Sequence, residues 1–450
     1  MSGLSGKKRV YLETYGCQMN FSDSEIVASV MTGHGFTVTE RQEEADVVFL
    51  NTCSIRDHAE QRVLNRLKEL QHLRKKRPGM IIGVLGCMAE RLKTALLEES
   101  ELGMRIDMVV GPDAYRQLPS LMLDAEQGQA AINVLLSADE TYADISPVRY
   151  GGNGVSAFIS IMRGCENYCA YCVVPFTRGQ ERSRDPLSIL GEVQQLVDAG
   201  YREVTLLGQN VNSYRWKDPD TLAETTFSDL LAEVAATDPR LRLRFATSHP
   251  KDIPDRLLHT MAAHQNICRA IHLPVQSGSS RVLARMNRKY SREDYLERVA
   301  AIRAILPGCA ISTDIITGFC GETEEDHRET LSLMEEVGFD YAYMFKYSER
   351  PGTLAAKKFR DDVPDGVKSR RLTEVIDLQQ SLSMASNRCD LQSVQEVLVE
   401  GYSRRSEKQM MGRSSHNKVV VFPSGDHQSG DYVQVRITGC SSATLKGEAI

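Results

Sequence analysis

No run of the 450 residues is apolar for long enough to cross a bilayer; the longest, such as Met80 to Ala89, fall well short of the ~20 residues a spanning helix needs. The start lacks the apolar core of a secretory signal, because Met1 to Arg9 is small, polar and basic and leads straight into a strand-like stretch. Excess positive charge is missing as well. The formal net charge is -6, which excludes a wholesale polycation and confines any nucleic-acid contact to local patches. Internal repeats and long low-complexity segments are absent. The expectation is a cytoplasmic protein with no membrane partner.

What is there is an ordinary globular composition, 42% apolar and 25% charged, in a chain long enough for two or three domains with sizeable cores. The unusual ingredient is cysteine, with 11 copies. In a reducing compartment these are not disulfides. They are metal ligands, nucleophiles or small buried hydrophobes, and position decides among the three.

From Lys7 to about Asp144, short aliphatic runs closed by Gly or polar residues alternate with helical stretches. The runs are Val10–Thr14, Val47–Asn51 and Ile81–Leu85, and the helical stretches include Ser22–Thr32 and His58–Lys76. This pattern predicts an open parallel α/β sheet over residues 7–146. Pro147, Gly151, Gly152, Asn153 and Gly154 mark a linker. A second β/α series has strands at Ala157–Met162, Glu203–Leu207, Leu241–Ala246, Arg269–Leu273, Ala310–Ile315 and Ala342–Phe345. Six units predict a partial (β/α)6 barrel over residues 151–383, where a full barrel has eight. A helix around Val367–Arg388 ends it. Residues 384–450 change character, with short alternating runs (Val394–Val399, Lys418–Phe422, Tyr432–Ile437) between Gly, Pro, Ser and Asp. They predict a small antiparallel β-barrel of roughly five strands, OB-like in kind. The fold class is multidomain α/β.

Two groups of cysteines carry the chemistry. Cys165, Cys169 and Cys172 stand in C-x3-C-x2-C spacing after the first barrel strand, at the end where β/α barrels assemble active sites. Thiolates ligate iron-sulfur clusters, and three of them on a four-iron cubane leave one iron free for substrate. A structural zinc wants four ligands, and no fourth Cys or His stands at a convincing spacing. The second group is Cys17, Cys53 and Cys87, each at the end of a predicted parallel strand. Each alone fits a small buried residue. Together they would emerge at one carboxyl edge, where open α/β sheets bind ligands, and so predict a second three-cysteine cluster. Cys268, Cys309, Cys320, Cys389 and Cys440 share no spacing and are structural.

Polar residues end the other barrel strands: Gln209 and Asn210, Ser248 and His249, Gln276 and Ser277, and Asp314 before Ile315–Ile316–Thr317–Gly318. Singly, each fits a strand or helix cap. Collectively they have the character of a site.

The triplet, with Tyr171 before its third cysteine, resembles the radical S-adenosylmethionine (SAM) superfamily. The segments Thr14–Tyr15–Gly16–Cys17–Gln18–Met19–Asn20, Asn51–Thr52–Cys53–Ser54–Ile55–Arg56 and Leu85–Gly86–Cys87–Met88 resemble the methylthiotransferases, over nearly the whole chain. His272–Leu273–Pro274–Val275–Gln276–Ser277–Gly278–Ser279 points to the branch acting on isopentenylated adenosine of tRNA. One departure is Cys320, where the family more often has Pro. The resemblance implies two 4Fe-4S clusters, on Cys17, Cys53 and Cys87 (auxiliary) and on Cys165, Cys169 and Cys172 (radical SAM). It implies SAM used twice per turnover, as methyl donor and radical source, with Tyr171, Gln209, Ser248, Gln276, Asp314 and Ile316 as the residues around it. It further implies a low-potential electron donor such as flavodoxin or ferredoxin, a C-terminal TRAM domain, and a tRNA anticodon-loop substrate carrying isopentenyladenosine at position 37. The same chemistry on threonylcarbamoyl-adenosine tRNA or on an aspartate of ribosomal protein S12 is the in-family alternative. A non-catalytic iron-sulfur RNA-binding regulator is the alternative of another class.

The tail agrees in charge. From Gly401 to Ile450, Arg404, Arg405, Lys408, Arg413, Lys418, Arg436 and Lys446 outnumber Glu407, Asp426, Asp431 and Glu448 by three. Arg404, Arg405, Arg413 and Lys446 are the candidate RNA contacts. A second basic run, Arg74–Lys75–Lys76–Arg77, ends a helix, where cations complement the helix dipole without any ligand.

Overall fold

The computed structural model describes residues 7–54, 57–93, 95–98 and 104–450. Ile55 and Arg56 of the second cysteine segment lie outside the described residues. The chain divides into two compact units. The first comprises residues 1–150, 162–166 and 172–184, and the second residues 151–161, 167–171 and 185–450.

The first unit is built on β1 (Arg9–Tyr15), α1 (Gln18–Gly33), β2 (Thr37–Val38), β3 (Val47–Thr52), α2 (Asp57–Lys76), β4 (Ile81–Gly86), α3 (Cys87–Leu92), α4 (Ala95–Glu98), β5 (Met108–Val110), α5 (Leu118–Glu126) and β6 (Ala131–Asn133). Its six strands pair in parallel in the order β2-β1-β3-β4-β5-β6. Every residue of β3 and β4 is buried, as expected of central parallel strands covered on both faces. One apolar cluster, including Val27, Met31, Phe49 and Leu118, lies under α1 and α5. The other, including Val48, Leu67, Ile82 and Met88, lies under α2 and α3. Tyr15 pairs with Thr52, and Thr52 with Gly86, so three strands end level with one another. The same unit holds β8 (Met162–Arg163), α6 (Val174–Arg178) and β9 (Arg182–Ser183), with β8 and β9 antiparallel.

The second unit carries β7 (Ser156–Ser160), α7 (Pro186–Asp198), β10 (Glu203–Leu207), α8 (Phe227–Thr237), β13 (Arg242–Ala246), α9 (Asp255–Ala263), β14 (Ala270–His272), α10 (Ser280–Arg285), α11 (Arg292–Ile305), β15 (Ala310–Thr317), α12 (Glu324–Val337) and β16 (Tyr341–Lys346). A small hairpin of β11 (Arg215–Lys217) and β12 (Glu224–Thr226) is inserted before α8. Two parallel three-stranded sheets, β13-β10-β7 and β14-β15-β16, are joined through a single bridge from Leu243 to Ile267. The result is the expected partial barrel of six strands. The first strand differs from the expectation: Met162 leaves β7 and pairs with Ser183 in the ribbon of the first unit.

After α13 (Leu354–Lys358), helix α14 (Asp365–Cys389) packs on β16 and runs without a break through residues 383 and 384. Strands β17 (Val394–Ser403), β18 (Ser406–Ser414), β19 (Val419–Pro423), β20 (Tyr432–Cys440) and β21 (Leu445–Ala449) close a barrel in the order β17-β18-β19-β21-β20. Their inward residues, among them Val397, Val399, Val420, Phe422 and Ile437, form its core. All pairs are antiparallel except β19 with β21, which is parallel. This barrel docks on the amino-terminal edge of the larger one. Arg242, the first residue of β13, donates to the Arg413 carbonyl (2.7 Å), and Arg244 donates to that of Ser414 (2.9 Å). The Tyr432 hydroxyl donates to the Arg240 carbonyl at 2.9 Å.

Candidate functional site

Level strand ends carry the first three cysteines to a common edge. Cys17 follows β1 through Gly16, Cys53 follows Thr52 directly, and Cys87 follows Gly86. Gly16 has φ +146°, and a Cβ there would sit 2.5 Å from the Cβ of Cys53. Gly86 has φ +87°, and its Cβ would sit 2.5 Å from Asn51 Oδ1. Any side chain at either position would push two of the cysteine segments apart. Two buried asparagines hold the edge. Asn20 Nδ2 donates to the Thr52 carbonyl (3.1 Å), while Asn51 Nδ2 donates to the Asn20 carbonyl (2.8 Å). Asn20 Oδ1 accepts from the Cys17 thiol at 3.3 Å.

Cys17 is exposed, whereas Cys53 and Cys87 are buried. A hydrogen bond with Cys53, reinforced by the charge of Arg178, brings the Cys17 thiol down to about 6. Burial pushes the Cys87 thiol up, and Arg178 opposes that rise. Among the described residues no three Cys, His, Asp or Glu side chains stand at the spacing of ligands to one metal ion. The donor set, three thiols at matched strand ends with one at the surface, suits a larger iron-sulfur core with an open side.

Beneath these cysteines runs a buried chain of charges that inspection of the sequence missed. Asp23 bridges Arg163 (2.8 Å) and Arg178 (2.7 Å), and Asp113 pairs with Arg182 at 3.0 Å. Arg163 also lies 5.0 Å from the ring centre of Tyr142. In a single sequence a buried arginine looks like any surface arginine.

In the cysteine triplet, the Cys165 amide donates to the Gly179 carbonyl (3.1 Å), and the Cys172 sulfur accepts from the Val174 amide (3.4 Å). Both of these residues belong to the first unit. In the second unit, Cys169 meets Arg288, whose Nη1 donates to its sulfur at 3.3 Å. Arg288 is itself fixed, with Nε donating to the Tyr290 hydroxyl (2.9 Å) and Nη2 to the Pro274 carbonyl (2.8 Å). Arg288 also escaped the sequence reading. Its one signal was its position two residues before Tyr290, after the helix that follows the fourth barrel strand. Ala170 is buried in an apolar cluster with Phe319 and Cys320, and Tyr171 packs edge-on to Phe319.

The carboxyl ends of the barrel strands bring several expected residues together. The Gln276 amide donates to the Asp314 carbonyl, and the Ile316 amide to the Gln276 carbonyl, both at 2.9 Å. Gln276 has φ +72°, as does Thr247 beside Ser248, a conformation costly for non-glycine residues and concentrated at ligand sites. Gln209 Oε1, Asn210 Oδ1 and Ser248 Oγ are buried without a hydrogen-bond partner. Orphaned polar atoms of this kind call for a polar partner, and the amino, carboxylate and hydroxyl groups of SAM would suit them. The Asp314 carboxylate faces His272 at 3.5 Å. Two further strand-end residues make contacts within the fold. Ser277 Oγ stands 3.3 Å from the Thr330 hydroxyl on α12, and His249 is buried edge-on to Tyr290. Burial and then the Arg288 charge push the His249 imidazole far below its usual range, so it is neutral at physiological pH.

Of the candidate RNA contacts, Arg404 and Arg405 form the exposed tip of the β17–β18 hairpin, and Lys446 is exposed on β21. Arg413 is only half-exposed and is engaged by Glu400 at 3.1 Å. Lys418 is held by Asp390 at 2.6 Å. No helix among the described residues is long and apolar enough to cross a membrane.

Three family models match the chain in order: the uncharacterized protein family UPF0004 over residues 9–111, the radical SAM superfamily over 159–334 and the TRAM domain over 391–450. The fold is similar to that of a radical S-adenosylmethionine methyltransferase, TsrM, from Kitasatospora setae. That structure has a TM-score of 0.55 at 15% identity, covering 75% of this chain and 72% of that one. Barrel, strand-end cysteines and terminal β-barrel together define a radical SAM enzyme with a carboxyl-terminal TRAM domain. Among curated proteins, the tRNA-2-methylthio-N(6)-dimethylallyladenosine synthase of Amoebophilus asiaticus is 57% identical over 98% of this chain and 92% of its own length. The same enzyme of Phocaeicola vulgatus is 58% identical over 99% and 97%. The chain belongs to this family, the MiaB branch of the methylthiotransferases.

Proposed function

We propose that the chain converts N6-isopentenyladenosine at position 37 of tRNA to its 2-methylthio derivative, adding sulfur and a methyl group at carbon 2 of adenine. The observation that carries the reading is the level pairing of Tyr15, Thr52 and Gly86, which delivers Cys17, Cys53 and Cys87 to one edge. These three would hold the auxiliary 4Fe-4S cluster, and Cys165, Cys169 and Cys172 the radical SAM cluster. When bound, the clusters and two SAM molecules supply hydrogen abstraction from an aromatic carbon too inert for acid-base chemistry, together with the sulfur and the methyl group. Arg288 orients Cys169 by its hydrogen bond. The unpartnered oxygens of Gln209 and Ser248, with Gln276, Asp314, Ile316 and Tyr171, would hold SAM. Arg404, Arg405 and Lys446 offer exposed cations to the anticodon stem-loop. A low-potential donor such as flavodoxin or ferredoxin would reduce the clusters in the cytoplasm.

The test is mass spectrometry of nucleosides from isopentenylated, unmethylthiolated tRNA after anaerobic incubation with reconstituted protein, SAM and a strong reductant. A methylthiolated isopentenyladenosine supports the reading. SAM cleavage with unchanged tRNA would overturn the substrate and leave the radical site standing.

A further inference from the structure

Arg178 ends α6, and its side chain is 3% exposed. Helix α6 packs on α3, which begins at Cys87, and Arg178 Nη2 donates to Asp23 on α1, the helix capped by Cys17. The guanidinium is thus held among the elements that carry two of the three cysteines. Its own charges do not balance. Arg163, Arg178 and Arg182 are all buried, and the carboxylates ion-paired with them are those of Asp23 and Asp113. Among the described residues one positive charge is left over. Among the described residues Arg178 Nη1 is buried without a hydrogen-bond partner, and the guanidinium interacts with the Cys87 side chain. A buried guanidinium with a free donor and no full counter-charge is strongly destabilising unless an anion completes it. Three thiolates around an iron-sulfur core carry about one negative charge in excess when oxidised and about two when reduced.

We propose that Arg178 is a positioning residue of the auxiliary site: its Nη1 donates to sulfur of the cluster held by Cys17, Cys53 and Cys87, and its charge favours the reduced state. This rests on the assignment of that cluster. A fixed cation and a hydrogen bond to sulfur both raise a cluster's reduction potential, because reduction adds negative charge beside them. Asp23 sets the guanidinium's direction, and Arg163 keeps Asp23 paired when Arg178 is changed.

The experiment uses the full chain in which Cys165, Cys169 and Cys172 are all replaced by Ala, so that iron titrates at the auxiliary site alone. Arg178→Gln and Arg178→Lys are added to it, and iron content, the spectrum of the reduced cluster and its potential are measured. The expectation is that Gln lowers the ratio of reduced to oxidised cluster at least tenfold at fixed potential, equivalent to about 59 mV for one electron. Lys, which keeps the charge, restores most of the shift. A Gln variant with the parent's potential and spectrum overturns the proposal, as do Gln and Lys variants displaced equally. Should Gln bind no cluster, retention by Lys supports the role of charge, and equal loss overturns it. Absence of a four-iron cluster from the parent itself would instead overturn the auxiliary-site assignment.

Discussion

The guanidinium of Arg288 lies 3.3 Å from the sulfur of Cys169, and both side chains are buried. A charge-assisted donor to a ligating thiolate stabilises the thiolate and fixes its direction. Replacing Arg288 by Met should reduce 5′-deoxyadenosine formation about 10- to 100-fold, the usual cost of losing a partner behind a metal ligand. Arg288→Lys should recover only part, because it cannot also reach Tyr290 and Pro274 in the same fork geometry. Unchanged SAM cleavage in the Met variant would remove Arg288 from the site.

The two cysteine groups should separate in function. Cys169→Ala is expected to abolish SAM cleavage, whereas Cys17→Ala should retain some cleavage and lose methylthio transfer. Both are read by quantifying 5′-deoxyadenosine and the modified nucleoside in one reaction. Full methylthiolated product from Cys17→Ala would mean the sulfur comes from elsewhere.

Glu90 imposes a pH dependence on the first unit. Its side chain is 2% exposed, Oε2 has no partner, and Lys93 stands 3.7 Å from Oε1. Burial raises the carboxyl to about 7, with Asp113 adding to the rise and Lys93 opposing it. A raised acid favours its protonated form in the fold, so that contribution is complete below the unfolded value and is lost as pH rises through 7. Stability should therefore fall by roughly 1–3 kcal/mol between pH 5 and pH 8 from this group alone. Glu90→Gln should melt higher than the parent at pH 8 and with little difference at pH 5. Parallel melting curves at both pH values would show that the carboxylate is accommodated.

Arg404 and Arg405 stand at a hairpin tip of a barrel docked at the amino-terminal edge of β13, away from the strand ends that carry Ser248 and Gln276. Neutralising both should weaken tRNA binding and lower the slope of log K against log salt by about 1–2, one phosphate contact per residue. The effect belongs in KM, with kcat for saturating tRNA unchanged. A kcat loss with an unaltered salt slope would place these residues in the chemical step.

Much was legible from the chain alone because it is local. Period-two and aliphatic runs mark strands whether or not the partner strand is known, which is why β3, β4 and the six barrel strands lie within a residue or two of expectation. C-x3-C-x2-C is likewise complete within one loop. Other readings failed where a neighbour distant in sequence decides. Met162 extends an apolar run, yet it pairs with Ser183. The ion pair of Arg413 with Glu400 and the contact of Ser277 with Thr330 on α12 are likewise invisible to any local pattern.

The sequence by itself determined the six cysteine positions, the order of sheet, partial barrel and small barrel, and the charge of the tail, since ligand spacing, periodicity and composition all survive without coordinates. Only the tertiary structure decided what surrounds those cysteines. The level pairing of Tyr15, Thr52 and Gly86 is a matter of strand register. Arg178 reaches Asp23 across 155 residues, and Arg288 reaches Cys169 across 119. Burial and the sharing of one carboxylate between two guanidiniums arise from packing, and packing joins residues that no local pattern connects.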